Sequence, residues 1–193
     1  MLKQDGSVWA VGRSNYGQLG DQTTTDKSRI VQVIFEPAKA VSAGRFHSLV
    51  LLQDTSVWVT GSNAYGQLGD ESTTNRLSFM PVGLSGASCV VVGRDYSIVL
   101  KHDGSVWATG RNQHDHLGVG STTSKSKFER VAFGDVKAAS AGSYHSMVLK
   151  SNDSVWTTGR NAYGQLGDGS QTSKNTFAQV ASLWKRAGSY CGK

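Results

Sequence analysis

The chain holds 193 residues with a net charge of +6, and 38% of them are hydrophobic. That apolar share is low for one conventional core, while 23 glycines against 2 prolines favour short strands joined by tight turns. No stretch approaches the roughly 20 apolar residues of a membrane-spanning helix, and Met1-Leu2-Lys3-Gln4-Asp5-Gly6 carries no apolar signal-peptide run. The expectation is an intracellular chain, cytoplasmic or nuclear, without a membrane partner. Cys89 and Cys191 have no CxxC spacing, and Cys89 sits in the apolar run Ser88-Cys89-Val90-Val91-Val92, so it reads as a buried thiol.

One stretch organises the rest. Val57-Trp58-Val59-Thr60-Gly61-Ser62-Asn63-Ala64-Tyr65-Gly66-Gln67-Leu68-Gly69-Asp70 recurs four times in near-identical form, with Trp9, Trp58, Trp107 and Trp156 spaced by 49 residues. Each copy closes its Val-Trp-x-x-Gly at Gly12, Gly61, Gly110 or Gly159. A fixed period of about 20–50 residues signals a solenoid or a propeller.

In chain order, the first unit opens on Asp5-Gly6 and Val8-Trp9, and Asp103-Gly104 stands at the same place in the third. Asp-Gly between two β-rich runs predicts a type I′ hairpin, whereas Asp54-Thr55 and Asp153-Ser154 predict looser turns. After Val-Trp-x-x-Gly the motif is too polar and glycine-rich for a helix. Ser/Thr-rich loops follow at 22–27, 71–76, 121–127 and 169–175, each leading to a short strand at 30–33, 79–82, 128–131 or 177–180. Next come Ala40-Val41-Ser42-Ala43-Gly44, Cys89-Val90-Val91-Val92-Gly93 and Ala138-Ala139-Ser140-Ala141-Gly142. Phe46-His47-Ser48, Tyr96-Ser97 and Tyr144-His145-Ser146 then enter an apolar strand. About four strands per unit make a blade, and blades repeated radially make an all-β propeller.

Gly-x-x-His-Ser followed by Asp-Gly-x-Val-Trp-x-x-Gly-x-Asn-x-Tyr-Gly-Gln-Leu-Gly resembles the repeat of the regulator-of-chromosome-condensation family. The resemblance covers about residues 1–180, read as one repeat array, and leaves 181–193 as an off-period tail in which Ala187-Gly188-Ser189-Tyr190 echoes Ala141-Gly142-Ser143-Tyr144. It implies a propeller, typically of seven blades, of which this chain has about four blades or blade halves. A partial propeller would leave strand edges unpaired, so self-association that closes the ring is one expectation. The resemblance also implies partner binding, including guanine-nucleotide exchange on a small GTPase and association with chromatin.

The residues themselves point away from catalysis. They offer no GxSxG elbow, no P-loop, no HExxH and no carboxylate pair, so no catalytic, cofactor or metal residues are assigned. His47 and His145 share one repeat position with Tyr96 and read as structural, bonding neighbouring loops. The third unit replaces Ala-Tyr-Gly-Gln-Leu-Gly by Gln113-His114-Asp115-His116-Leu117-Gly118. Its His-Asp-His, with His102 nearby, reads as local drift, with Asp115 taking the positive φ of a glycine, ahead of a metal site. Arg13, Ser62, Arg111 and Arg160 share one position and predict a partner-binding face. The reading is a non-enzymatic protein-interaction scaffold. Nucleic acid is the alternative partner for that face, although no five or six basic residues stand together. The tryptophans are expected between blades, with Trp58→Ala costing about 3–5 kcal/mol if fully buried.

Overall fold

A computed structural model describes residues 1–34, 36–131 and 134–180, and there is no helix among them. The hairpin β1 (Val8–Gly12) and β2 (Lys27–Ile34) comes first. Three four-stranded antiparallel meanders follow, in which sequence neighbours pair. They are β3 (Ala38–Ala43), β4 (His47–Leu52), β5 (Val57–Gly61) and β6 (Arg76–Val82); β7 (Ala87–Val92), β8 (Tyr96–Lys101), β9 (Val106–Gly110) and β10 (Lys125–Arg130); and β11 (Val136–Ala141), β12 (His145–Lys150), β13 (Val155–Gly159) and β14 (Lys174–Gln179). The result is a partial β-propeller of one half-blade and three blades. The off-period tail 181–193 lies outside the described residues.

The hairpin turns differ from the type I′ expectation. Only one residue per turn has positive φ, namely Gly6, Thr55, Gly104 and Asp153 at +83°, +70°, +75° and +64°. Each amide bonds back three residues, as in Gly104 to the Lys101 carbonyl and Asp153 to that of Lys150. Lys101 N also bonds Ser105 O, and Lys150 N bonds Ser154 O, so the loop is a three-residue turn ending in a left-handed residue. All four units share it. A chain of bonds locks it: in the third unit Ser105 donates from N and Oγ to Asp103 Oδ1, and Trp107 Nε1 donates to Ser105 Oγ at 3.0 Å. Asn152 takes the aspartate's place in the fourth unit.

The core lies between blades. Leu49 and Leu51 point from β4 toward the next blade and pack with Ala87, Val90 and Phe128, while Val50 and Leu52 point back to Val8 and Ile34. A strand buried on both faces reads as an unbroken apolar run, which is why Leu49-Val50-Leu51-Leu52 shows no alternation. The tryptophans do border these clusters, Trp107 on one and Trp156 on the next, but all four remain half-buried. Their indole N–H reaches the surface hairpin, and Lys101 and Lys150 ammonium groups sit 4.7 and 5.3 Å from the ring centroids of Trp107 and Trp156. Cys89 is fully buried as expected, yet it is disulfide-bonded and not a free thiol. Its partner lies outside the described residues, and an isolated cysteine in an apolar run carries no signal of pairing.

Each blade is joined to the one before by that unit's Gly-Gln-Leu-Gly loop. Thr60 Oγ1 donates to Gly17 O at 2.9 Å, and Ser48 Oγ to Gln18 O at 2.9 Å. Thr109 to Gly66 O and Ser97 to Gln67 O repeat the pair one blade on, as do Thr158 to Asp115 O and Ser146 to His116 O. The loop then bridges the outer strand, Asp21 with Ser78, Asp70 with Lys127 and Val119 with Thr176. Glycine is required where it meets that strand: a Cβ on Gly66 would lie 2.4 Å from Ser126 Cα, and one on Gly69 2.4 Å from the Phe128 ring.

Candidate functional site

The antiparallel register sets His47 opposite Gly61, Tyr96 opposite Gly110 and His145 opposite Gly159. The segments just before β4, β8 and β12 therefore share one end of the array with those just after β5, β9 and β13. Ser62, Arg111 and Arg160 amides donate to the carbonyls of Phe46, Asp95 and Tyr144, tying the two sets together. Below this end the motif's asparagine holds the loop rigid. Asn63 Oδ1 accepts from Leu68 N at 3.0 Å, and its amide donates to Asp70 Oδ1 and Ser72 O; Asn161 repeats the arrangement.

On that frame the structure places Arg13, Arg111 and Arg160 at the same end. Arg111 lies over the Tyr65 ring at 4.7 Å, Arg160 over Tyr163 at 5.3 Å and Arg13 over Phe46 at 5.8 Å. Ser62 is buried and accepts from Gln67 Nε2, so it offers the face nothing. Sequence reasoning missed Arg45 and Arg94, which also share a repeat position, and the aromatic row Tyr16, Tyr65, His114 and Tyr163. Both sets keep the 49-residue step, and that step is the signal that would have found them. Arg45 stacks on Phe46 at 4.6 Å, and Arg94 donates to Tyr144 Oη. Arg94 and Arg111 both reach Asp95, at 3.5 and 3.4 Å. These segments thus carry five arginines against two acidic side chains, Asp95 and Asp115, and among the described residues only Arg94 and Arg111 are paired, both with Asp95.

The histidines sit beneath. His47 is fully buried, its Nε2 2.9 Å from Ser97 Oγ of the next blade, and burial holds its pKa near 4. Tyr96, at the equivalent position, donates to the His145 carbonyl and accepts from Ser146. The expected bonds therefore run from strand to strand and not to loops. Asp115 has the anticipated positive φ, +61°. His116 takes the position of Gln67 and is buried against Tyr96, ring centroids 4.4 Å apart, with no hydrogen-bond partner for either ring nitrogen among the described residues. Burial lowers its pKa to about 4. His114 packs edge-on against Tyr144, and burial together with the Arg160 and Arg111 charges keeps its ring below the ordinary imidazole value. Among the described residues no three or more His, Cys, Asp or Glu side chains converge to hold a metal ion. No helix among them is long and apolar enough to cross a membrane.

Family models of the regulator of chromosome condensation (RCC1) repeat match residues 5–51 and 103–149, and a second such model matches 38–67 and 136–165. The chain belongs to this repeat family. Among solved structures, human WBSCR16 superposes with a TM-score of 0.81 at 24% identity, over 93% of this chain and 48% of that one. Yeast RCC1 (Prp20) bound to Kap60 gives 0.81 at 19% identity, over 94% and 46%. Prp20p from Saccharomyces cerevisiae, described with its binding to Gsp1p and histones, gives 0.80 at 20%, over 94% and 49%. At these identities the likeness is one of fold, and this member of the RCC1 repeat family spans about half the length of each. No curated protein matches the chain.

Proposed function

We propose that the chain is a non-enzymatic interaction scaffold whose arginine and tyrosine loop face holds an acidic protein surface. The observation that carries this reading is the recurrent stacking of an arginine on an aromatic ring at one end of the array, exposed Arg13 with Phe46 and half-buried Arg111 and Arg160 with Tyr65 and Tyr163. Arginine and tyrosine are the residue types that dominate interface energetics, and a guanidinium already stacked loses little freedom on meeting a carboxylate. The rigid motif beneath keeps the row preorganised. The yeast protein's described ligands, Gsp1p and histones, suggest that macromolecules are the partner class. Histones are basic, so this face suits them poorly.

The test uses a fluorescent Glu/Tyr-rich peptide and, separately, a DNA duplex, titrated against the chain and against an Arg94→Ala/Arg111→Ala/Arg160→Ala variant. Peptide binding that weakens by roughly tenfold or more in the variant is expected. Tighter binding of the duplex, with affinity falling steeply as salt rises, would replace the proposal by a nucleic-acid reading. Accelerated release of labelled guanine nucleotide from a small GTPase would replace it by exchange catalysis.

A further inference from the structure

The third unit departs from the others in the middle of the arginine face. Tyr16, Tyr65 and Tyr163 give way to His114, and Gln18, Gln67 and Gln165 to His116. A phenol does not take up a proton near neutral pH, whereas an imidazole does. His114 is half-buried at the joint between the β7–β10 and β11–β14 blades, its ring 4.7 Å from that of Tyr144 on the far side. Three arginines border this pair. Arg94 donates to Tyr144 Oη and stacks on its ring at 5.3 Å. Arg111 opens the loop that carries His114, and Arg160 donates its amide to the Tyr144 carbonyl; both charges act on the His114 ring. The acids fall short of them. Arg94 and Arg111 share one oxygen, Asp95 Oδ2, at 3.5 and 3.4 Å. Arg160 stacks on Tyr163 and pairs with no carboxylate among the described residues, and Asp115 is the carboxylate that acts on His114. Three arginines against two aspartates leave one net positive charge while His114 is neutral. Behind the cluster His116 is fully buried and His145 half-buried, and burial holds both rings below the ordinary imidazole value, His116 near 4. Burial also keeps the Tyr96 phenol protonated.

We infer that this cluster is a phosphoryl subsite, in which a phosphorylated side chain of the acidic partner is held by Arg111 and Arg160 with a protonated His114 between them. The inference rests on the scaffold reading above and names the group that its face selects. A carboxylate brings one negative charge and matches the cluster as it stands. A phosphoryl group brings close to two at neutral pH, and the second calls for a further positive charge within reach. His114 supplies it by taking a proton from solvent as the phosphoryl oxygens arrive. The planar guanidinium fork suits those oxygens, and Arg111 and Arg160 already lie on the Tyr65 and Tyr163 rings. In the free protein burial and the Arg160 and Arg111 charges keep the His114 ring below its ordinary value. A bound dianion reverses that charge balance, so the complex keeps the proton to higher pH than the free protein does. Binding that takes up a proton strengthens as pH falls. The tyrosines of the other units give their joints no such response.

The test titrates a fluorescent Glu/Tyr-rich peptide carrying one phosphotyrosine, beside its unphosphorylated form, at roughly pH 8 and pH 6.5. The phosphopeptide should bind about tenfold more tightly, and should gain about fivefold further on going to the lower pH. The unphosphorylated peptide should change by less than about twofold over the same interval. His114→Tyr, which installs the residue of the other units, should lose the phosphopeptide's gain. Imidazole NMR signals give a second readout. The resonance missing from His114→Tyr belongs to His114, and its titration midpoint should move to higher pH when the wild-type protein is saturated with phosphopeptide. Equal affinity for the two peptides, a gain that survives in His114→Tyr, or a His114 midpoint that does not rise would overturn the inference and leave the scaffold reading standing. Binding of neither peptide would remove both.

Discussion

His116→Gln should stabilise the protein, although it removes a buried aromatic ring. In the other units the residue at this position is glutamine, and its Oε1 accepts the amide two residues earlier: Gln18 from Tyr16, Gln67 from Tyr65 and Gln165 from Tyr163, each at 2.9 Å. The introduced glutamine would accept from His114 N in the same way, worth about 1 kcal/mol, and would relieve buried ring nitrogens left unpaired, worth about 1–3 kcal/mol. Losing the His116–Tyr96 ring contact offsets about 0.5–1.5 kcal/mol. The balance favours the variant by about 0.5–3.5 kcal/mol at pH 7. Acid should widen the gap. The His116 pKa is depressed from 6.5 to about 4, so the wild-type histidine contributes full stability above pH 6.5 and loses it as pH falls toward 4. At pH 5 that loss is about 2 kcal/mol by proton linkage, and glutamine does not titrate. Urea melts of both proteins at pH 7 and pH 5 decide the matter. A variant that melts at or below the wild-type midpoint at pH 7, or a difference unchanged at pH 5, would refute the reasoning.

Other positions separate joint from surface in the same way. Gly66→Ala and Gly164→Ala place a Cβ at nearly equal positive φ, +76° and +73°, but only the first collides with a neighbouring strand; thermal melting should show Gly66→Ala losing about 2 kcal/mol or more beyond Gly164→Ala. Asn63→Ala removes three hydrogen bonds from a buried side chain and should cost about 2–4 kcal/mol, measured by denaturant midpoint. Trp58→Ala should cost about 2 kcal/mol, below the range for a fully buried tryptophan, because the ring is half-buried; a loss above that range on the same assay would contradict its exposure.

The 49-residue step of the tryptophans is enough to read blade count, strand order and the hairpins, because each unit repeats the same covalent pattern. What the joint does is not legible there, since Thr60 and Gly17 lie 43 residues apart and only the packed blades bring them together. The type I′ expectation at Asp5-Gly6 and Asp103-Gly104 fails because each loop spans three residues with positive φ at the glycine alone, a geometry that Thr55 and Asp153 adopt as well. On the candidate face the Arg13, Arg111 and Arg160 row is visible as a repeated charge. Ser62 breaks it, and Arg45 and Arg94 escape notice because they occupy the variable places of the Gly-x-x-His-Ser pattern.

The direction of the joint bears on how the chain is made. Each loop precedes in sequence the blade that fastens to it, so residues 17–22 exist before β4, β5 and β6 are synthesised. A ribosome working from the amino end therefore always offers a finished seat to the unit still emerging, and docking can begin once the outer strand clears the exit. The order of synthesis thus allows assembly blade upon blade, with each step needing only its immediate predecessor. A fault in one Gly-Gln-Leu-Gly loop would then show itself in the following blade, 49 residues downstream, and not in the blade that carries it.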